Sequence, residues 1–171
     1  VMPIFPVLKS IFSEKGIEVT SGLNPWQYAN LSLVSFTWFF KDGRSLTPHL
    51  GISLQEVYFL ECLFSEFQPR NILIIGNATG WSTFAIALCN PNARVIAVDA
   101  ALNPEAVKGI KFTNSIAGER DLNLKAVKGL SPQDIPKILA EEFDGPVGFA
   151  FVDGDHTNEQ IFLDFQAVNE G

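Results

Sequence analysis

The chain has 171 residues, the length of one domain, and 47% of them are apolar against 18% charged, which excludes a disordered chain. A formal net charge of -7 with no basic run argues against a nucleic-acid backbone as partner, because phosphate binding needs clustered Lys and Arg. The greasiest run, Leu31 to Phe40, is broken by Ser32, Ser35 and Thr37 and is too short for a membrane span, which takes about 20 residues.

The N-terminus carries no basic start followed by a long apolar stretch, so no signal peptide is expected. Pro3 and Pro6 precede a short helix expected over Val7 to Glu14, ending at Gly16. Asn24-Pro25 has the form of a helix start, with Asn as N-cap and Pro at the first position; the helix is expected to reach Lys41 and close at Asp42-Gly43. The alternation Leu31, Leu33, Ser35 also permits a strand there. Residues 1–50 are therefore read as a mainly helical extension, either a layer on the core, a lid over a pocket or a dimer face. His49 has no partner nearby in sequence and reads as a surface or structural residue. Cys62 and Cys89 each lie in an apolar segment and read as buried small hydrophobes in a reducing, cytoplasmic compartment.

From Ser53 onward strand and helix patterns alternate. Ser53-Leu54-Gln55-Glu56 is a capping box, and the helix after it places Val57, Leu60 and Phe64 at helical spacing before stopping near Pro69. Ile72 to Ile75 is an uninterrupted apolar strand, the kind buried on both faces of a parallel sheet. It runs into Gly76, with Gly80 four positions on and a helical segment over Thr83 to Leu88. Arg94 to Val98 is a second strand ending at Asp99, and Pro104 opens a helix to about Ala117. Leu122 to Val127 is a third strand. Ser131-Pro132-Gln133-Asp134 reads as a capped start for a helix reaching Phe143. Val147 to Val152 is a fourth strand ending at Asp153, and Asn158 to Asn169 is the last helix, with Glu159 and Asp164 expected on its solvated face. Four strand–helix alternations with short connections predict an α/β fold, a doubly wound parallel sheet, over residues 51–171.

In such sheets the ligand lies beyond the carboxyl ends of the strands. Small or polar residues stand at all four ends: Gly76 to Gly80, Asp99, Gly129 with Ser131, and Asp153 to His156. The dinucleotide fingerprint G-x-G-x-x-G fails, because Ala78 and Trp81 occupy its second and third glycine positions, and no Lys follows Gly80 as a phosphate loop requires. The turn thus suits a ligand without a pyrophosphate. Asp99, 23 positions after Gly76, is placed to accept hydrogen bonds from ribose hydroxyls. A ribose without a pyrophosphate suggests a nucleoside such as S-adenosylmethionine.

Two motifs carry a resemblance: Gly76-Asn77-Ala78-Thr79-Gly80-Trp81-Ser82-Thr83 and Asp153-Gly154-Asp155-His156. Over Ser53 to Gly171 the chain resembles the class I S-adenosylmethionine-dependent methyltransferases, of the branch with a G-x-x-x-G-x-S-T turn and a D-G-D-H after the fourth strand. The resemblance implies a Rossmann-like fold in which Gly76, Asn77, Ala78, Thr79 and Gly80 wrap the methionyl part of the cofactor, with Ser82 a further cofactor-binding residue. It also implies that Asp99 holds the ribose, and that Gly129 and Ser131 lie near the adenine. The chain departs from the family at Ile74, where an acidic residue is usual, and in its four strands where seven are normal, so a fragment or a fold completed by another chain is expected. Asp153 and His156 are the candidate catalytic groups. Asp153 and Asp155 are candidate ligands for Mg or Mn, and His156 is alternatively a general base. The expected reaction is methyl transfer to an oxygen or nitrogen of a small molecule, with no nucleic acid, no membrane span and a homo-oligomer allowed. The alternatives are a non-catalytic binding or scaffold domain and, more weakly, an NAD-dependent oxidoreductase. Trp81 either lines the cofactor pocket or packs at the start of its helix.

Overall fold

A computed structural model describes residues 3–21, 36–46 and 51–170. The centre of the molecule is β4 (Asn71–Ile75), every residue of which is buried. It lies in a parallel four-stranded sheet of order β6-β5-β4-β7, with β5 at Arg94–Asp99, β6 at Leu124–Lys128 and β7 at Phe149–Val152. Ile75 pairs with Val98 on one side and Val152 on the other, so the carboxyl ends of the three strands are level. The chain builds outward from β4 to β5 and β6, then returns to place β7 on the other side of β4. The reversal puts a topological switch point beside β4.

Side chains alternate across the strands and divide the core into two faces. Ile72 and Ile74 join a cluster with α1 (Ile4–Ser13), α2 (Leu54–Glu66), α3 (Trp81–Cys89) and α4 (Pro104–Glu119). Leu73 and Ile75 face α5 (Ile135–Glu142) and α6 (Asn158–Glu170) with Ile135, Ile138 and Ala167. Helices on both faces complete the doubly wound α/β fold expected from sequence. The capping box at the start of α2 is present in both halves: Glu56 N–H donates to Ser53 Oγ, and Ser53 N–H donates to Glu56 Oε2. Asn103 caps α4 through Ala106 N–H.

Four expectations are corrected. Thr37–Lys41, placed at the end of a long helix, is a strand, β2, in an antiparallel sheet between β1 (Glu18–Ser21) and β3 (Arg44–Ser45). Asp42 and Gly43 have φ of 52° and 72°, as a two-residue hairpin turn needs, so they turn the chain between strands. The rest of that helix (Asn24, Pro25, Leu31, Leu33 and Ser35) and His49 lie outside the described residues. α5 starts at Ile135 without a side-chain cap, because Asp134 accepts from Leu130 N–H and Ser131 is engaged elsewhere. Cys62 is exposed; Cys89 is half-buried, and burial pushes its thiol up to about 12. Asp164 is 1% exposed, not on a solvated face.

The N-terminal layer belongs to the same core. Phe12 packs against Phe39 of β2 and Trp81 of α3, with ring centroids at 5.2 and 5.3 Å. Trp81 is 2% exposed and its Nε1–H donates to Ile52 O, which fixes the approach to α2.

Candidate functional site

At the switch point the backbone ladder runs one residue beyond the strands: Gly76 N–H donates to Val98 O, Asp153 N–H to Ile75 O, and Gly129 N–H to Asp99 O. These bonds draw the four loops after β4, β5, β6 and β7 together. Gly76 has φ of 99°, and a Cβ there would stand 2.1 Å from Asp153 O, so only glycine fits between the two loops. Gly80, at φ 83°, is the N-cap of α3 and directs the unpaired first N–H groups of that helix outward.

Asn77 and Asp99 make the turn rigid. The Asn77 side chain points into the protein: Thr83 Oγ1 donates to its Oδ1 at 3.1 Å, and its Nδ2 donates to Thr113 Oγ1 at 3.1 Å. Asp99 Oδ2 accepts from the backbone N–H groups of Asn77 at 3.0 Å and Ala78 at 2.9 Å, and Oδ1 accepts from Ala101 N–H at 2.8 Å. A carboxylate has about four acceptor positions, so three are already used and one, on Oδ1, is left for a ligand hydroxyl. Asp99 is thus a clamp on the turn as well as a candidate ribose ligand.

Two adjoining cavities share Gly76, Ala78, Asp153 and Gly154. The first, about 390 Å³, lies over the ends of β5 and β6 and is bounded by Asp99, Leu102, Gly129, Leu130, Ser131 and Asp164. Leu102 and Leu130 are 83% and 47% exposed, apolar surfaces at its walls. The second, about 630 Å³, runs toward α2 and the N-terminal layer, where Phe36, Glu56, Thr79, Ser82 and His156 line it. Trp81 also lines it, so the same ring packs in the core and reaches the cavity.

Of the sequence-derived site residues, Gly76, Ala78, Asp99, Gly129, Ser131, Asp153 and Asp155 line the first cavity. Asn77, Thr79, Ser82 and His156 line the second. Gly80 stands behind the turn against Thr113 and Phe84. His156 Nε2 lies 3.7 Å from Asp153 Oδ1. Burial pushes the Asp153 carboxyl above the ordinary carboxylate value; the neighbouring His156 opposes this and Glu56 adds to it. Asp155 is exposed and its Oδ1 accepts from Thr157 N–H, closing a turn. Among the described residues no three His, Cys, Asp or Glu side chains gather as a metal site. The expected Mg or Mn thus has no complete ligand set among the described residues.

Sequence reasoning passed over Glu56, Gln160 and Asp164. The signal for Asp164 is in the helical period, since 160, 164, 167 and 168 form one stripe of α6 and the last two are apolar.

Residues 73–170 match a family model described as a methyltransferase domain, a stretch running from β4 through α6 and including all four loops. This chain belongs to that family. Among curated methyltransferases it is 32% identical over 122 residues to the tapetum-specific methyltransferase 1 of Arabidopsis thaliana, covering 67% of this chain and 48% of that protein. It is 26% identical over 117 residues to the catechol O-methyltransferase of Mycobacterium tuberculosis, covering 68% and 50%. The O-methyltransferase from Bacillus cereus solved in complex with SAH superposes with a TM-score of 0.56 at 26% identity, covering 70% of this chain and 52% of that one. The chain spans about half the length of these methyltransferases. Among the described residues no helix is long and apolar enough to cross a membrane.

Proposed function

We propose that this methyltransferase domain binds S-adenosylmethionine across the two cavities and serves methyl transfer to an oxygen or nitrogen of a small molecule. The observation that carries the reading is the charge of the walls. Glu56, Asp99, Asp153, Asp155 and Asp164 line the cavities, and among the described residues no Lys or Arg does. Such walls repel a pyrophosphate and favour a ligand bearing a sulfonium and an ammonium group. The Asp99-clamped turn, the apolar Leu102 and Leu130 and the short reach of the first cavity fit a nucleoside. The O-methyltransferase from Bacillus cereus in complex with SAH supports the same ligand.

S-adenosylmethionine, when bound, supplies a methyl group on a positive sulfur. In this reading Gly76 to Gly80 wraps the methionyl part by close approach of its backbone, since the N–H groups of Gly76, Asn77, Ala78 and Gly80 are already bonded within the protein. Ser82 and the first turn of α3 face its carboxylate, Asp99 takes one ribose hydroxyl, and Gly129 and Ser131 border the base. The acceptor oxygen or nitrogen forms its bond to the methyl carbon as the carbon–sulfur bond breaks, and the acceptor's proton has to leave. Asp153, shared by the two cavities, and His156 of the second, 3.7 Å apart, are the groups placed to take it. Alignment of acceptor and methyl supplies much of the remaining acceleration.

Residues 1–50 are proposed as the cover of the acceptor side, supported by Phe36 in the wall of the second cavity. Free thiols at Cys62 and Cys89 support action in a reducing, cytoplasmic compartment. Calorimetric titration of the full chain with S-adenosylmethionine and S-adenosylhomocysteine tests the reading: saturable heat with both is expected, and none with either refutes it.

A further inference from the structure

The two edges of the parallel sheet are finished differently. β6, at one edge, carries Lys125 and Lys128, charges of the kind that keep an edge strand from pairing with another chain. β7, at the other edge, reads Phe-Ala-Phe-Val with no charge and no proline. All four of its residues are half-buried, whereas its neighbour β4 is buried throughout. Asp153 N–H donates to Ile75 O. By the alternation of a strand, Phe151 therefore turns its N–H and C=O to β4, and Ala150 turns its own to the open side. Among the described residues no strand pairs with that side.

Apolar rings flank the open edge. α2 packs over β7 through Phe64 and Phe149, with ring centroids 4.9 Å apart, and it exposes Phe59 and Phe67. α6, the helix that follows β7, exposes Phe162 and Phe165. Phe59, Phe162 and Phe165 are 63, 59 and 61% exposed, and Phe67 is 42% exposed. At about 200 Å² a ring, the four offer on the order of 450 Å². The half-exposed strand brings the face to about 600 Å², the lower bound per partner for a specific interface. Single exposed apolar residues are ordinary, but a contiguous face of this size around an unguarded edge is not.

We propose that this face is the interface of a homodimer, in which β7 pairs antiparallel with β7 of a second copy and joins the two four-stranded sheets into one. An isologous contact has to be self-complementary, and this one is. With the two-fold axis at Ala150 and perpendicular to the sheet, that residue meets its own copy, and the two exchange N–H···O bonds with only methyl groups to accommodate. Phe149 then stands opposite Phe151 of the partner subunit, and the symmetry repeats the pair. Both rings lie on the α2 side, at the closely spaced, non-hydrogen-bonded positions where cross-strand aromatic pairs contribute most. The same axis sets α2 beside α2 and α6 beside α6, so the exposed rings of one copy meet those of the other.

Sedimentation equilibrium on the full chain without cofactor tests the pairing independently of the proposed activity. A dimer with Kd at or below about 10 μM is expected, and hydrogen exchange at the Ala150 amide should slow as it forms. Ala150→Pro removes the outward N–H and leaves the bonds to β4, as an edge strand allows, and should raise Kd at least about tenfold. Phe59→Lys combined with Phe162→Lys changes only exposed side chains and should weaken the dimer at least as much, so a poorly folding Ala150 variant does not end the test. A monomer at about 100 μM, which leaves the edge to a different polypeptide, overturns the inference. So does a dimer whose Kd either folded variant leaves unchanged, or association that continues beyond two copies.

Discussion

Asp99→Ala tests how the site is built. From sequence alone the substitution is expected to weaken cofactor binding and leave the fold intact. The structure changes that expectation, because Asp99 Oδ2 holds two N–H groups of the β4–α3 turn and Oδ1 holds Ala101. A hydrogen bond to a charged group contributes about 1.5–3 kcal/mol. The two bonds at the turn share one oxygen, and water partly replaces them in the variant. The expected loss is therefore about 2–4 kcal/mol, less than the simple sum. That is a large part of the usual 5–15 kcal/mol of domain stability, and it corresponds to a melting temperature lower by about 4–16 °C. Urea unfolding without ligand measures it, and hydrogen exchange at Asn77 and Ala78 locates it. A variant within about 0.5 kcal/mol of wild type, with those amides still protected, would refute the clamp and return Asp99 to a purely ligand-facing role.

Phe12→Ala should cost about 3–5 kcal/mol in urea unfolding, because the ring is fully buried between β2, α3 and α4. A loss below about 1 kcal/mol would separate the N-terminal layer from the core. Asp153→Asn should lower turnover more than cofactor affinity; equal loss of both would assign Asp153 to cofactor binding instead. Its stability effect has a definite sign. Burial raises the folded-state pKa of Asp153, so the folded protein binds the proton more tightly than the unfolded chain. The wild type then loses stability as pH rises from the ordinary carboxylate value through the raised one. Relative to wild type, Asp153→Asn should gain stability from pH 4 to pH 7; a relative loss over that interval contradicts the burial argument.

The sheet was legible in the sequence for a physical reason. Parallel strands are covered on both faces, so Ile72 to Ile75 and Arg94 to Val98 read as continuous apolar runs, and the loops that close the site follow directly from their ends. The N-terminal hairpin was not read, because Asp-Gly in left-handed conformation serves both a helix stop and a two-residue turn. The deciding signal was the period of two across Thr37 and Phe39, both buried, with Trp38 and Phe40 half-buried. Asp164 was misplaced because a charged residue on a terminal helix is usually solvated, although its position on the apolar stripe of α6 contradicted that. The second role of Asp99 was beyond sequence reading, since it depends on where two backbone N–H groups lie 21 and 22 positions away.

Ile74 looked like the weakest position of the nucleoside reading, because its family pattern places an acid there. In the fold Ile74 is fully buried on the face shared with α1, α2 and α3, while its neighbour Ile75 lines the first cavity. A carboxylate at position 74 would enter an apolar cluster. The carboxylate on this side belongs to Glu56 of α2, in the wall of the second cavity. In the proposed binding mode an ammonium group there would have its counter-charge from the helix instead of the strand. The consequence reaches turnover. Methyl transfer removes the positive charge on sulfur, so walls carrying five carboxylates attract the methyl donor more strongly than the spent cofactor. In the proposed reaction the same charges that exclude a pyrophosphate therefore favour exchange of product for fresh donor.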